Sequence, residues 1–298
     1  PPAPRNKHLN GWPGHLAALL CGTLPTLSLA PFNGWPLGII ACAVLYALLH
    51  EQKPLVSALR CWLFGIGLFG SGTSWVYVSI QQYGNAPPAL ATFLVLLFTL
   101  AMAAIFTCIA PIISLTTRAA GSIGNGFAFA ACWTLGEWLR CWLLTGFPWL
   151  LLGTAHVDTS LAGWAPVSGV LGISFIVALS GAALVQLIRL RGPRRWALTA
   201  VTTALWSGGA ALQRISWVEA AGPPVQVALV QPDIPQHLKW HPEAFDSIIG
   251  VYRNLTSDHW NADLIIWPEA AIPRLYQYIP RQIAELDRQA TDAEAALI

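Results

Sequence analysis

Seven apolar stretches follow one another through the first 215 residues, at roughly 14–30, 34–50, 56–80, 89–115, 124–144, 161–188 and 196–215. Most approach the ~20 residues a helix needs to cross a bilayer core about 30 Å thick. An isolated apolar strand would leave its backbone groups unpaired in lipid, so each stretch is expected to be a helix. The whole chain is 55% hydrophobic and only 10% charged, outside the soluble globular range. Trp12, Trp35, Trp142, Trp149, Trp164, Trp196 and Trp217 fall near the ends of these stretches, where an aromatic belt would place them.

Charge then divides the chain in two. Residues 1–215 carry eleven Lys or Arg against three acids, whereas residues 216–298 carry five against eleven. The break, near Ala221 to Pro224, predicts a membrane domain over 1–221 with about seven transmembrane helices, followed by a water-facing domain over 222–298. Basic residues lie in the N-terminal segment (Arg5, Lys7), the second connection (Lys53, with Arg60 nearby), the fourth (Arg118) and the sixth (Arg189, Arg191, Arg194, Arg195), while the first, third and fifth connections have none. The positive-inside rule therefore puts the N-terminus in the cytoplasm and, after an odd number of spans, the acidic C-terminal segment outside it. The chain opens on Pro1, so its natural start is expected upstream. Residues 16–29 have the length of a signal h-region but lack a persuasive cleavage site, so the first helix is expected to be retained.

Several patterns carry no chemistry on this reading. All six cysteines lie in or beside predicted spans without a CxxC pair, which suits packing better than zinc or redox work. His237 and His241 have the spacing of a helical zinc pair, but Leu238 stands where a zincin carries its catalytic Glu, so no metal is expected. Gly65, Gly67, Gly70 and Gly72 fall inside a span with no strand before them and point to close helix packing, not to a nucleotide site. The arginines at 189–195 are explained by topology, which leaves no basic patch for nucleic acid. Asn254 to Thr256 fits a glycosylation sequon, a pattern too short to carry weight.

Two features do point to chemistry. Glu137 and Arg140 lie within a predicted span, where ionisable side chains are costly, and their spacing puts them on one helix face. They are either a mutually neutralising pair or part of a substrate site. In the C-terminal segment, VQVALVQ (225–231) and DLIIWPE (263–269) read as buried strands, residues 242–260 and 276–290 as helices, and AALI (295–298) as the start of a third strand. The second strand runs straight into Glu269, and is expected to hold a carboxylate buried at a sheet edge, where burial raises its basicity and a neighbouring nucleophile can give it a proton.

VALVQPDIPQHLKW and then LIIWPEAAIP, after a membrane domain containing FGSGTSWVYVSI and LTGFPWL, make the chain resemble the bacterial apolipoprotein N-acyltransferases over essentially its whole length. The resemblance implies a polytopic α-helical membrane domain followed by an α/β nitrilase-like domain, an α-β-β-α sandwich, here incomplete. It implies an inner-membrane enzyme with a periplasmic catalytic domain and no cofactor. Such an enzyme transfers an acyl chain from a phospholipid, typically phosphatidylethanolamine, to the N-terminal cysteine of an apolipoprotein. The family's triad is Glu, Lys and Cys, and Glu269 matches the general base. Trp240 matches a tryptophan in a loop near the active site, and Gly146 with Trp149 a membrane-facing loop near the acyl pocket; alternatively, Trp240 covers the sheet and Trp149 is an interfacial anchor. No lysine follows Glu269 and no cysteine follows Cys141. The resemblance therefore implies a fragment, expected to be inactive alone. A membrane-anchored nitrilase-type amidase and a multi-pass transporter are the competing readings.

Overall fold

A computed structural model describes residues 11–50, 52–108 and 122–298. They fall into two compact units, Pro1–Trp217 and Val218–Ile298, divided a few residues ahead of the charge break. Arg5, Lys7, Arg118 and the end of the fourth predicted stretch, 109–115, lie outside the described residues.

The first unit is helical. Its elements are α1 (Trp12–Cys21), α2 (Leu24–Ser28), α3 (Pro36–Leu49), α4 (Pro54–Gly72), α5 (Trp75–Val78), α6 (Pro88–Thr107), α7 (Ser122–Arg140), α8 (Ala165–Arg189) and α9 (Arg194–Leu212). Among the described residues, three helical segments are long and apolar enough to cross a membrane: Pro54–Gly72, Pro88–Thr107 and Ser160–Arg189. At 1.5 Å per residue, the 19 residues of α4 extend about 28 Å, close to the thickness of a hydrocarbon core. The other stretches are helical but shorter or more polar. The first breaks at Gly22 and Thr23, ahead of Pro25, into α1 and α2. The third ends at Gly72, eight residues earlier than its hydropathy suggests, and continues as the short α5 and a π-helical turn over Ser79–Tyr83. The sixth enters through a 3-10 turn at Ser160–Trp164 and kinks at Gly169.

Small residues let these helices approach closely. A Cβ on Gly22 would lie 2.1 Å from the carbonyl oxygen of Phe64, and one on Gly67 2.1 Å from that of Leu19, so α1 and α4 cross backbone to backbone. In lipid, where apolar surface gains little from leaving its solvent, this close van der Waals fit is the main attraction between helices. Aromatic rings fill the interior: Phe64 stacks on Phe106 at 5.9 Å, and Phe106 meets Trp133 edge to face at 5.1 Å. Each such pair adds about 0.5–1.5 kcal/mol beyond its area. Cys42, Cys61 and Cys132 are buried as packing residues, while Cys108 is exposed and Cys21 and Cys141 are half-buried.

The second unit is a parallel sheet in the order β1 (Val227–Leu229), β2 (Leu264–Ile266), β3 (Ala296–Leu297), with Ala228 opposite Ile265 and Ile265 opposite Leu297. A short helix, α10 (Gln236–Lys239), and the crossover helix α11 (Phe245–Ser257) join β1 to β2, and α12 (Pro280–Asp292) joins β2 to β3. Parallel strands need such crossovers, which explains the alternation of apolar runs and amphipathic segments. Ile248, Tyr252 and Leu286 from the helices pack with Val230, Ile265 and Trp267 from the strands and their ends. Trp267 Nε1 donates to Thr256 Oγ1 at 3.0 Å, and that hydroxyl donates to the carbonyl of Tyr252 at 2.8 Å. Burial pushes the Tyr252 phenol above its usual range. The opposite sheet face carries exposed Val227, Leu229 and Ile298. Among the described residues this unit has one sheet and one helical layer, and the second sheet of the expected sandwich is not found.

Candidate functional sites

The first candidate lies at the carboxyl ends of β1 and β2, where open parallel sheets usually bind ligands. Two loops meet there. Lys239, at the end of α10, donates from Nζ to the backbone oxygen of Glu269 at 3.2 Å. Arg274 donates to the carbonyl of Pro242 at 3.2 Å and lies 4.2 Å over the ring of Phe245. Both loops contain a non-glycine residue with positive φ, Asp233 (50°) and Ala270 (52°). Such strain persists only where neighbouring contacts over-determine the backbone, and it gathers at functional sites.

Glu269 lies in the turn directly after β2, as its sequence position predicts, but it is exposed instead of buried at the sheet edge. Its carboxylate makes no hydrogen bond or ion pair with the described residues. Trp240 is also exposed, and it is not among the residues of the sheet's hydrophobic core. A cavity of about 620 Å³ lies beside the loop, bounded by Pro268, Ala271, Ile272, Leu286 and Leu297, and Glu269 does not line it. This arrangement offers an exposed carboxylate on a constrained loop, in a segment that contains no cysteine. Lys239, which joins the loops, went unnoticed in the sequence because its partner is a carbonyl whose position depends on the fold. The described residues contain no cluster of His, Cys, Asp or Glu able to hold a metal, and His237 and His241 are no exception.

The second candidate is the connection after α7 in the helical unit. Four of its residues have positive φ: Leu144 (54°), Thr145 (75°), Gly146 (86°) and Leu150 (57°). Gly146 sits against the end of α7, where a Cβ would lie 2.1 Å from the carbonyl oxygen of Cys141. Phe147 and Trp149 stack at 5.2 Å; Phe147 meets Phe98 at 5.0 Å and Trp149 reaches Trp75 at 6.1 Å. Trp149 remains 52% exposed, so the loop presents an aromatic surface.

Glu137 and Arg140 are both buried, yet they are not the close ion pair their spacing suggests. Among the described residues no ion pair within 4.0 Å joins them. Glu137 Oε1 accepts from Trp133 Nε1 at 2.9 Å and from the backbone N–H of Leu152 at 2.8 Å. Arg140 donates to the carbonyl of Trp149 and, at 3.4 Å, to that of Leu150.

Residues 21–183 match the family described as apolipoprotein N-acyltransferase N-terminal domain. The chain is 42% identical over 291 residues to the apolipoprotein N-acyltransferase of Pseudomonas syringae pv. tomato, covering 97% of this chain and 58% of that protein. It is 42% identical to the Azotobacter vinelandii enzyme of the same name over 292 residues, 97% of this chain and 57% of that protein. The Coxiella burnetii enzyme is 37% identical over 283 residues, 94% of this chain and 58% of that protein. The chain thus spans somewhat over half the length of these curated relatives.

Proposed function

Because the chain belongs to the apolipoprotein N-acyltransferase family, we propose that it forms the membrane domain and the first part of the catalytic domain of a phospholipid:apolipoprotein N-acyltransferase. The carrying observation is the carboxylate of Glu269, free of partners among the described residues and placed on a strained loop after a parallel strand. On this reading Glu269 takes the proton of a cysteine thiol, and the thiolate attacks the ester carbonyl of phosphatidylethanolamine. Collapse of the tetrahedral intermediate, its oxyanion stabilised by a lysine, expels lysophospholipid, whose alkoxide takes the proton back from Glu269, and leaves a thioester. The α-amine of the lipidated apolipoprotein cysteine, losing its proton to the same carboxylate, then attacks the thioester. An amide forms and the thiol is restored. The cysteine and lysine would come from parts of the protein outside this sequence.

Trp240, at the end of α10, is proposed to flank the site through the loop that Lys239 ties to Glu269. Gly146 and Trp149 are proposed to shape the surface that receives the acyl chain. The bare apolar sheet face at Val227 and Leu229 suits a nitrilase-like sandwich, which needs such a face to pack a second sheet. The proposed setting is the bacterial inner membrane, crossed several times, with the N-terminus cytoplasmic and the second unit periplasmic. This follows from the clustering of Arg and Lys in alternate connections.

The deciding experiment incubates the purified full-length enzyme with fluorescent phosphatidylethanolamine and a diacylglyceryl-cysteine lipopeptide. Acyltransfer predicts a thioester-linked acyl-enzyme, then N-acylated lipopeptide in proportion to the donor consumed. Release of free fatty acid with the lipopeptide unmodified would instead identify an amidase-like hydrolase. Neither product would leave a transporter as the better reading.

A further inference from the structure

The buried charges at the end of α7 hold the strained loop beside them, and from this we propose that Glu137 and Arg140 are positioning residues for the phospholipid acyl chain. The inference rests on the acyltransferase reading above. Both side chains are at most 4% exposed, and such burial in a membrane domain is costly unless the groups are well bound. Besides the Trp133 indole, which donates to Glu137 from the same helix, their partners lie in the loop. The cation binds two carbonyls, those of Trp149 and Leu150, while the anion binds an amide, that of Leu152. Each charge meets the matching end of the peptide dipoles, so together they fix the direction of the chain from 149 to 152. The guanidinium also lies 5.1 Å from the ring centre of Phe69 on α4, tying the loop to a second helix.

That grip falls where the backbone needs it. Leu144, Thr145 and Leu150 adopt left-handed conformations that their own preferences oppose, and Gly146 between them takes one open to glycine. Without anchors the segment would relax, and Trp149 would leave Phe147 and Trp75. The resulting surface combines apolar faces with partial exposure and no charged side chain between Cys141 and Val157, chemistry that fits a fatty acyl chain and not a head group. On this proposal neither charged group acts on the reacting atoms. Their effect should appear in donor binding.

The test uses the full-length enzyme in detergent micelles, varying phosphatidylethanolamine and lipopeptide separately. Arg140→Gln and Glu137→Ala should each raise the donor KM at least tenfold while the acceptor KM stays within twofold. Glu137→Gln retains an oxygen for the Leu152 and Trp133 donors and should return the donor KM to within threefold of wild type. Arg140→Lys keeps the charge but cannot span two carbonyls, so it should fall between wild type and Arg140→Gln. If Arg140→Gln fails to fold, Arg140→Lys and Glu137→Gln carry the test. A loss of kcat at unchanged donor KM, equal changes in both KM values, or Glu137→Gln as harmful as Glu137→Ala would overturn the proposal. Inactive wild-type enzyme would instead overturn the acyltransferase reading itself.

Discussion

Replacing Gly146 with alanine adds one methyl group where the structure permits none, and Gly169 supplies the comparison that separates the two reasons. Gly146 has φ 86° and ψ 147°, and Gly169 has φ 64° and ψ −172°, both in territory almost confined to glycine. Alanine at either position should cost about 1–3 kcal/mol in backbone strain alone. Around Gly169 nothing lies within 4 Å of the new Cβ, so the cost stops there. At Gly146 the Cβ would lie 2.1 Å from Cys141 O, 2.8 Å from its carbonyl carbon and 3.2 Å from the nitrogen of Trp142. All three are backbone atoms that no rotamer change can move. Overpacking of this kind adds about 1–3 kcal/mol, for a total near 2–6 kcal/mol. At about 1.4 kcal/mol per tenfold, even 2 kcal/mol shifts the loop equilibrium by a factor of about 30. Donor kcat/KM for the full-length enzyme, from acyl-enzyme formation with fluorescent phosphatidylethanolamine, should therefore fall about thirtyfold or more in Gly146→Ala. Gly169→Ala should lower the unfolding temperature yet keep donor kcat/KM within a few-fold of wild type. If both variants retain wild-type donor kcat/KM, the loop conformation does not matter for donor use and the reasoning fails.

The remaining predictions concern fold and topology. Thr256→Val leaves the buried Trp267 N–H without its acceptor and should destabilise the second unit by about 1–3 kcal/mol, read from a denaturant titration of the full-length protein followed by tryptophan fluorescence. Glu285→Gln breaks the 2.9 Å pair with Arg253, but both side chains are more than a third exposed, so its cost in the same titration should not exceed about 1 kcal/mol. In a background without other cysteines, a cysteine at Ser257 should react with a membrane-impermeant thiol reagent added to cells whose outer membrane has been made permeable, and one at Gly192 should not. The opposite pattern would reverse the orientation read from the basic clusters.

What could be read from the sequence was set by local pattern. Continuous apolar runs such as VALV and LIIW announce parallel strands, but the burial expected of VALV holds only on the side facing the helices, since Val227 and Leu229 are exposed. Glu269 was visible because it follows such a run after a single proline, Pro268. Its exposure was not, since burial of a strand-end residue depends on what packs over the sheet. Hydropathy placed the helical stretches of the described residues but missed the breaks after Cys21 and Gly72, because the Gly22 and Gly67 crossing and the chain's turn at Thr73 are tertiary events. The spacing of Glu137 and Arg140 put them on one face and suggested that they pair. Apart from the Trp133 indole one turn back, which donates to Glu137, their partners are backbone groups 9 to 15 residues away, reached only because the loop folds back over the helix end.

The measurement closest to the central claim is the rate of acyl-enzyme formation in full-length Glu269→Gln. Glutamine keeps the shape and hydrogen-bonding capacity of the side chain but cannot take the thiol proton. Thioester formation from fluorescent phosphatidylethanolamine should fall about a hundredfold or more, with membrane insertion unchanged and Glu243→Gln close to wild type. Self-acylation at the normal rate in Glu269→Gln would show that this carboxylate is structural, and would contradict its assignment as the general base.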